Sequence, residues 1–197
     1  EHLTAEQVER FTALLQPHER DARLKGIPVL GQGLVWPLDE RELRCEPFDV
    51  AQRHLKLIAG LDSGYANSYT GIVWMAYAPV DRTVYAWDCV KIRRQLVKDI
   101  APMLKDRDYR THTNIPVAWP RDITRTGPAS GLIPVEEYRK CGVAMLPEPA
   151  QFADNRQHYV QPGLGLVWQY MAEGRFKVFD SPRMAPWFKE WMLFSYD

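Results

Sequence analysis

Two aspartates stand where apolar runs end. Asp62 closes "HLKLIAGLD" (54–62) and Asp122 closes "NIPVAWPRD" (114–122). A carboxylate at the tip of a buried strand has two readings. It can be a turn residue, because Asp, Ser, Gly and Asn suit turns stereochemically, and "DSGYANS" is rich in them. It can also be a ligand for a metal or a phosphate. Two such carboxylates brought side by side repel, and that arrangement is costly unless a cation sits between them. Oxygen donors of this kind suit Mg²⁺ or Mn²⁺.

Whether the two meet depends on the elements that carry them. "HLKLIAGLD" (54–62), "GIVWMAYA" (71–78) and "TVYAWDCV" (83–90) are rich in Ile, Val, Trp and Tyr, and the links between them are short. They predict an antiparallel three-strand meander. The middle run is apolar on both faces, which predicts an interior strand. "IRRQLVKDIAPMLKDRD" (92–108) has helical spacing, with Pro102 expected to kink it or to start its last section. "NIPVAWPRD" follows as a fourth strand, "LIPVEEYRKCG" as a helix ending at Gly142, and "VAMLPEP" as a fifth short strand. A helix from about Gln161, a small edge strand "RFKVF" and a final amphipathic helix with Trp187 and Trp191 complete the chain.

The expected fold is α/β: a mixed sheet of order 3-2-1-4-5, strand 2 antiparallel, with helices on both faces. That order sets the C-terminal ends of strands 1 and 4 side by side, and these ends carry Asp62 and Asp122. Residues 1–54 read as an arm. "TAEQVERFTALL" (4–15) and "PHERDARLKG" (17–26) have helical patterns, and a Gly/Pro-punctuated hairpin or linker follows.

The bulk composition narrows the classes. The chain has 197 residues, 46% hydrophobic and 25% charged, with a formal net charge of +0. These values fit one substantial globular domain, and nucleic acid would have to bind through a local patch. No apolar run approaches membrane-spanning length and no N-terminal signal pattern is present. Cys45, Cys89 and Cys141 form no C-x-x-C pair, so neither a disulfide framework nor a zinc knuckle is indicated, and a reducing cytosol fits.

On these motifs the chain resembles the ribonuclease H-like nucleases, and more closely the C-terminal nuclease domain of large terminase subunits of tailed bacteriophages. "IAGLDSGYANSYTGIVWMAY", with its G-x-D-x-G core at Gly60, Asp62 and Gly64, is similar to the first catalytic motif of that family. "IPVAWPRD" looks like the second, "GRFKVFDS" resembles the approach to the third, and "PHERDARLKGIPVLGQGLVWPL" is similar to the segment after the ATPase domain.

The resemblance implies an arm at 1–54 that follows an ATPase domain, and a nuclease domain over 55–197. It implies a divalent-metal-dependent endonuclease that cuts concatemeric DNA when packaging starts and ends. Two Mg²⁺ or Mn²⁺ ions would serve the reaction, Asp62 bridging both and Asp122 holding one. The third acidic ligand of the family is expected beyond Asp197, since Asp180 and Asp197 sit in the wrong context. Lys177 is the candidate contact to a phosphate or leaving group, with an ordinary edge-strand lysine as the other reading. "KIRRQLVK" (91–98) offers its basic side chains to DNA phosphate or to solvent. The implied partners are double-stranded DNA, the ATPase domain of the same polypeptide, the small terminase subunit and the portal or procapsid, with no membrane. The implied location is the cytoplasm of the infected bacterium, and the isolated domain is expected to be monomeric. A Holliday-junction resolvase-like nuclease shares G-x-D-x-G, and a non-catalytic DNA-guiding module is the alternative without chemistry. In the actin-like ATPases, Asp62, Gly64 and Thr70 would cradle phosphate instead.

Overall fold

The structure, a computed structural model, describes residues 36, 38–52, 54–64, 68–120, 134–150, 161–191 and 193. The two helical patterns at 4–15 and 17–26 lie outside these residues, as does Asp122. The described chain forms α1 (Glu40–Leu43), β1 (Arg44–Cys45), β2 (Lys56–Asp62), β3 (Tyr69–Ala78), β4 (Thr83–Arg93), α2 (Val97–Thr111) and β5 (Val117–Ala118). Then come α3 (Pro134–Lys140), α4 (Gln161–Ala172), β6 (Phe176–Phe179), a 3-10 turn (Pro182–Met184) and α5 (Ala185–Trp191).

The strands make one six-stranded sheet, ordered β1-β6-β4-β3-β2-β5. β3 is antiparallel to both β2 and β4, while β5 is parallel to β2, and β6 is parallel to β4 and to β1. The meander and the crossover to strand 4 therefore fall as the strand pattern predicts. The fifth predicted strand is reduced to a single parallel bridge, Val117 to Met145, on the expected side of β5. Alternation explains the central hairpin. Thr70, Ile72, Trp74, Ala76 and Ala78 of β3 are buried, and the residues between them are half-buried.

Helices cover both faces. Arg107 of α2 lies over the Trp74 ring on one side, and Glu190 of α5 bonds Lys91 on the other. On the first side Trp74 and Trp87 are 6.3 Å apart between centroids. On the second, Trp36, Trp191 and Trp187 form a stack with successive centroids 5.2 and 5.1 Å apart. Such offset aromatic stacking adds to what area burial alone contributes.

Two expectations need correction. "RFKVF" is not an edge strand: β6 sits between β4 and β1, and three of its four residues are buried. The partner is Arg44–Cys45, inside the segment read as an arm, and Leu43 beside it is 1% exposed. A two-residue strand has no periodicity to reveal it. The helix after the meander starts at Val97 rather than Ile92, because Ile92 and Arg93 still pair with Thr70 and Tyr69. Arg94 then turns the chain at φ 54° and Asp99 caps the new helix by accepting the Leu96 N–H at 3.1 Å. Pro102, where a kink or a new section is expected, lies inside α2, which continues to Thr111.

The return to the site is tightly specified. His112 takes a left-handed conformation at the end of α2, and its N–H bonds the Asp108 and Tyr109 carbonyls. The Asp108 carboxylate accepts the Ile115 N–H at 2.9 Å, which aims the chain into β5. Gly142, φ 76°, ends α3 as predicted. No helix among the described residues is long and apolar enough to cross a membrane.

Candidate metal centre at the strand tips

Asp62 is the last residue of β2 and is exposed, whereas Leu61 before it is 3% exposed. The carboxylate thus emerges where a buried strand leaves the core. Its neighbours on the same sheet face are glycines. Gly71 pairs directly with Asp62 and Gly60 precedes it by two, and a Cβ at either would meet nothing within 4 Å among the described residues. Among the described residues, bare glycine backbone therefore flanks Asp62 in the sheet.

The turn after Asp62 is held by a clamp. Thr70, 2% exposed, accepts the Gly64 N–H at 3.2 Å and donates its hydroxyl to the Gly64 carbonyl at 3.2 Å. Those bonds commit the hydroxyl hydrogen to Gly64, so Thr70 closes the turn. Gly64 has no room for a side chain: a Cβ there would lie 2.1 Å from the Tyr69 carbonyl oxygen. Gly64→Ala is accordingly expected to cost about 1–3 kcal/mol, the range for forced overpacking, because backbone and not a flexible side chain must yield. Urea unfolding measures it, and an unchanged midpoint would show that the turn is not closed in this way. Tyr138 of α3 packs under this turn, fully buried. Its hydroxyl faces Ser63 without closing a hydrogen bond of standard geometry, and burial pushes the phenol up to about 12.

β5 brings the second carrier alongside. Ala59 pairs with Val117 and Gly60 with Ala118, and the Ala59 N–H bonds the Pro116 carbonyl at 2.9 Å. The strand is fixed from its other side by Val117 N–H to the Ala144 carbonyl at 2.8 Å and Leu146 N–H to the Val117 carbonyl at 2.9 Å. Trp119 is 4% exposed and its indole N–H bonds the Leu146 carbonyl at 2.8 Å. It wedges the strand end and is not available to stack a base. The end of β5 is thus locked beside Gly60, two residues short of Asp62. Asp122 follows Ala118 by four residues and lies outside the described residues.

Lys177 is not brought to this tip. It pairs with Tyr85, whose row crosses the sheet to Leu57, five residues before Asp62. Three strand spacings and five residues separate it from Asp62, about 14 Å across and about 17 Å along. Its ammonium instead donates to the Glu42 carbonyl at 2.9 Å, tying β6 to α1. Asp180 is likewise off the site, paired with Arg44 at 2.5 Å. No group of three His, Cys, Asp or Glu that could hold a metal occurs among the described residues. The three cysteines are free, and burial pushes the Cys89 thiol up to about 11.

One buried ionic cluster carries no sequence signal. Asp88 of β4 is 1% exposed, and one of its oxygens accepts both Arg107 Nε at 3.0 Å and Arg183 at 2.8 Å. It sits beside the irregularity where Trp74 pairs with Asp88 but Met75 with Ala86.

Comparison with known proteins converges on one group. No protein-family model matches the chain. The chain is 30% identical over 210 residues to the large terminase subunit of Enterobacteria phage LP7, which covers all of this chain and 40% of that relative. The large terminase subunit of Salmonella phage P22 matches at 30%, again over the whole chain and over 38% of its own length. The chain therefore spans about two fifths of these relatives. Among solved structures, the nuclease domain of the P22 large terminase superposes with a TM-score of 0.69 at 27% identity, over 83% of this chain and 79% of that one. The large terminase nuclease domain of bacteriophage SPP1 with bound Mn superposes at 0.53 and 19% identity, over 78% of each chain.

Proposed function

We propose that this chain, a homologue of large terminase subunits with the ribonuclease H-like fold of their nuclease domains, is a divalent-metal-dependent DNA endonuclease that cuts concatemeric viral DNA during packaging. The observation that carries the reading is the placement of Asp62. It is an exposed carboxylate at the tip of a core strand, flanked by glycine-bare backbone and next to the locked end of β5.

The residues fit a hard divalent cation. Asp62 supplies an anionic oxygen donor, and beside it Gly60 and Gly71 present no side chain, a Cβ at either meeting no described residue within 4 Å. The SPP1 nuclease domain, of the same fold, was crystallised with Mn. We assign Asp62 and Asp122 as the metal-holding pair, on the parallel register that sets β5 against β2. Lys177 takes no part in this reading. Bound Mg²⁺ or Mn²⁺, two ions in this family's chemistry, would polarise the phosphate and lower the pKa of a bound water. The chain's own contribution is positional. The Thr70–Gly64 clamp holds the turn after Asp62, Trp119 pins the strand before Asp122, and the rigid sheet fixes the distance between the two carriers.

In this reading duplex DNA is the substrate, and residues 55–197 form the nuclease unit. An ATPase domain, a small terminase subunit and a portal are its working partners in the infected cell. Plasmid cleavage tests it: a polypeptide that carries this chain together with the third acidic ligand is expected to nick and linearise supercoiled plasmid in Mn²⁺ or Mg²⁺ and to stop when EDTA is added. Cleavage that persists in EDTA, or none at any divalent ion, overturns the proposal.

A further inference from the structure

We infer that the outer ends of β3 and β4 form a track for the phosphate backbone of duplex DNA, leading onto Asp62, with Tyr69, Lys91, Arg93 and Arg94 as its contacts. The inference rests on the nuclease reading above for its substrate class. Register puts these residues in place. Asp62, Gly71 and Lys91 stand in one cross-strand row, and Tyr69 and Arg93 form the next row outward. Residues opposite each other in an antiparallel pair project to the same face. Lys91 is thus two strand spacings from Asp62, about 10 Å, and Tyr69 lies one repeat of about 7 Å beyond Gly71.

The sheet position between them carries no side chain. Gly71 separates Asp62 from Lys91, and a Cβ there would meet nothing within 4 Å among the described residues. A sugar–phosphate strand can therefore approach bare backbone there, where a side chain would hold it off.

The rim of this floor is cationic and ordered. Tyr69 is 42% exposed, with the Arg93 guanidinium 3.8 Å and the Lys91 ammonium 4.2 Å from its ring centroid. Stacking on one ring pre-orders both cations, which lowers the entropic cost of meeting phosphate. Arg93 and Arg94 are exposed, and the left-handed turn at Arg94, φ 54°, directs the chain away immediately after them. Lys91 is partly neutralised by Glu190 at 2.6 Å. Net charge on the whole chain is +0, so a local patch of this kind is what a polyanion requires.

The test is the salt dependence of binding to a labelled duplex in EDTA, where no cleavage interferes. Removing one cation that neutralises a phosphate lowers the slope of log K against log salt by about 0.9. Arg93→Gln with Arg94→Gln is expected to lower the slope by roughly two such steps and weaken binding at least tenfold at about 0.1 M salt, with thermal unfolding unchanged. Glu190→Gln works in the opposite direction, releasing Lys91 and tightening binding, which a damaged fold would not do. An unchanged slope in the folded arginine variant overturns the track. Plasmid cleavage in Mn²⁺, measured alongside, separates the two readings. If cleavage fails but the slope responds, the track stands and the nuclease assignment falls; if cleavage is intact with an unresponsive slope, the reverse holds.

Discussion

Asp62→Asn is expected to lower Mn²⁺-dependent plasmid cleavage by on the order of a thousandfold while changing stability without metal by less than about 0.5 kcal/mol. The two halves of this expectation have separate origins. Asn keeps the size and shape of Asp, the side chain is exposed, and the backbone pairing of Asp62 with Gly71 does not depend on it. The core beneath, Leu61 and Ala59, is untouched. The amide, however, replaces an anionic oxygen donor with a neutral one, and hard divalent ions bind weakly without carboxylate charge. A thousandfold in rate is about 4 kcal/mol of transition-state stabilisation, within what a metal ion supplies. A binding readout accompanies the rate. Mn²⁺ at about a hundred times its dissociation constant should stabilise the native protein by about 2.7 kcal/mol, and Asp62→Asn should abolish that shift in melting temperature. A variant that still shows the full shift, or still cuts, removes Asp62 from the metal site.

The legible part of this fold is the part with local pattern. Three β-rich runs with short links leave few alternatives to a meander, and the long crossover through α2 can return only as a parallel neighbour. From that, the tip of β2 and the end of β5 follow as neighbours, and the structure pairs Gly60 with Ala118. The Asp62 half of the site is readable because the acid interrupts an apolar run. What escapes has no local pattern. β1 is two residues long, and its pairing with β6 joins positions far apart in sequence, Arg44 with Val178. Nothing local marks β6 as an interior strand, so Lys177 cannot be placed from its own stretch of sequence. Its distance from Asp62 is set by β3 and β4 lying between them. The basic run 91–98 reads as a helix face because Arg and Gln favour helices. Pairing with β3 keeps its first three residues in the sheet, and this tertiary effect overrides propensity.

Asp88 shows the same limit more sharply, and carries the largest expected effect on stability. In "YAWDCV" nothing local marks the aspartate as an interior residue, yet Trp87, Asp88 and Cys89 are all buried beside the register shift. Its carboxylate joins Arg107 of α2 and Arg183 of the 3-10 turn to the central strand β4. Asp88→Ala is expected to cost about 3–5 kcal/mol, because Arg107, with only 14% of its side chain exposed, would keep its charge without this partner. Arg107 retains the Met103 carbonyl at 3.3 Å and a long contact to Asp106, neither of which replaces the buried carboxylate. Arg183→Ala should cost far less, about 0–1 kcal/mol, since that side chain is 47% exposed and its pair is screened by solvent. The double variant Asp88→Leu with Arg107→Met removes both buried charges, and is expected to recover most of the stability that Asp88→Ala forfeits. Urea unfolding of the parent and the three variants decides the matter. A double variant no more stable than Asp88→Ala would mean that the loss comes from β4 itself, and that the ion pair with α2 is not what holds this helix against Trp74.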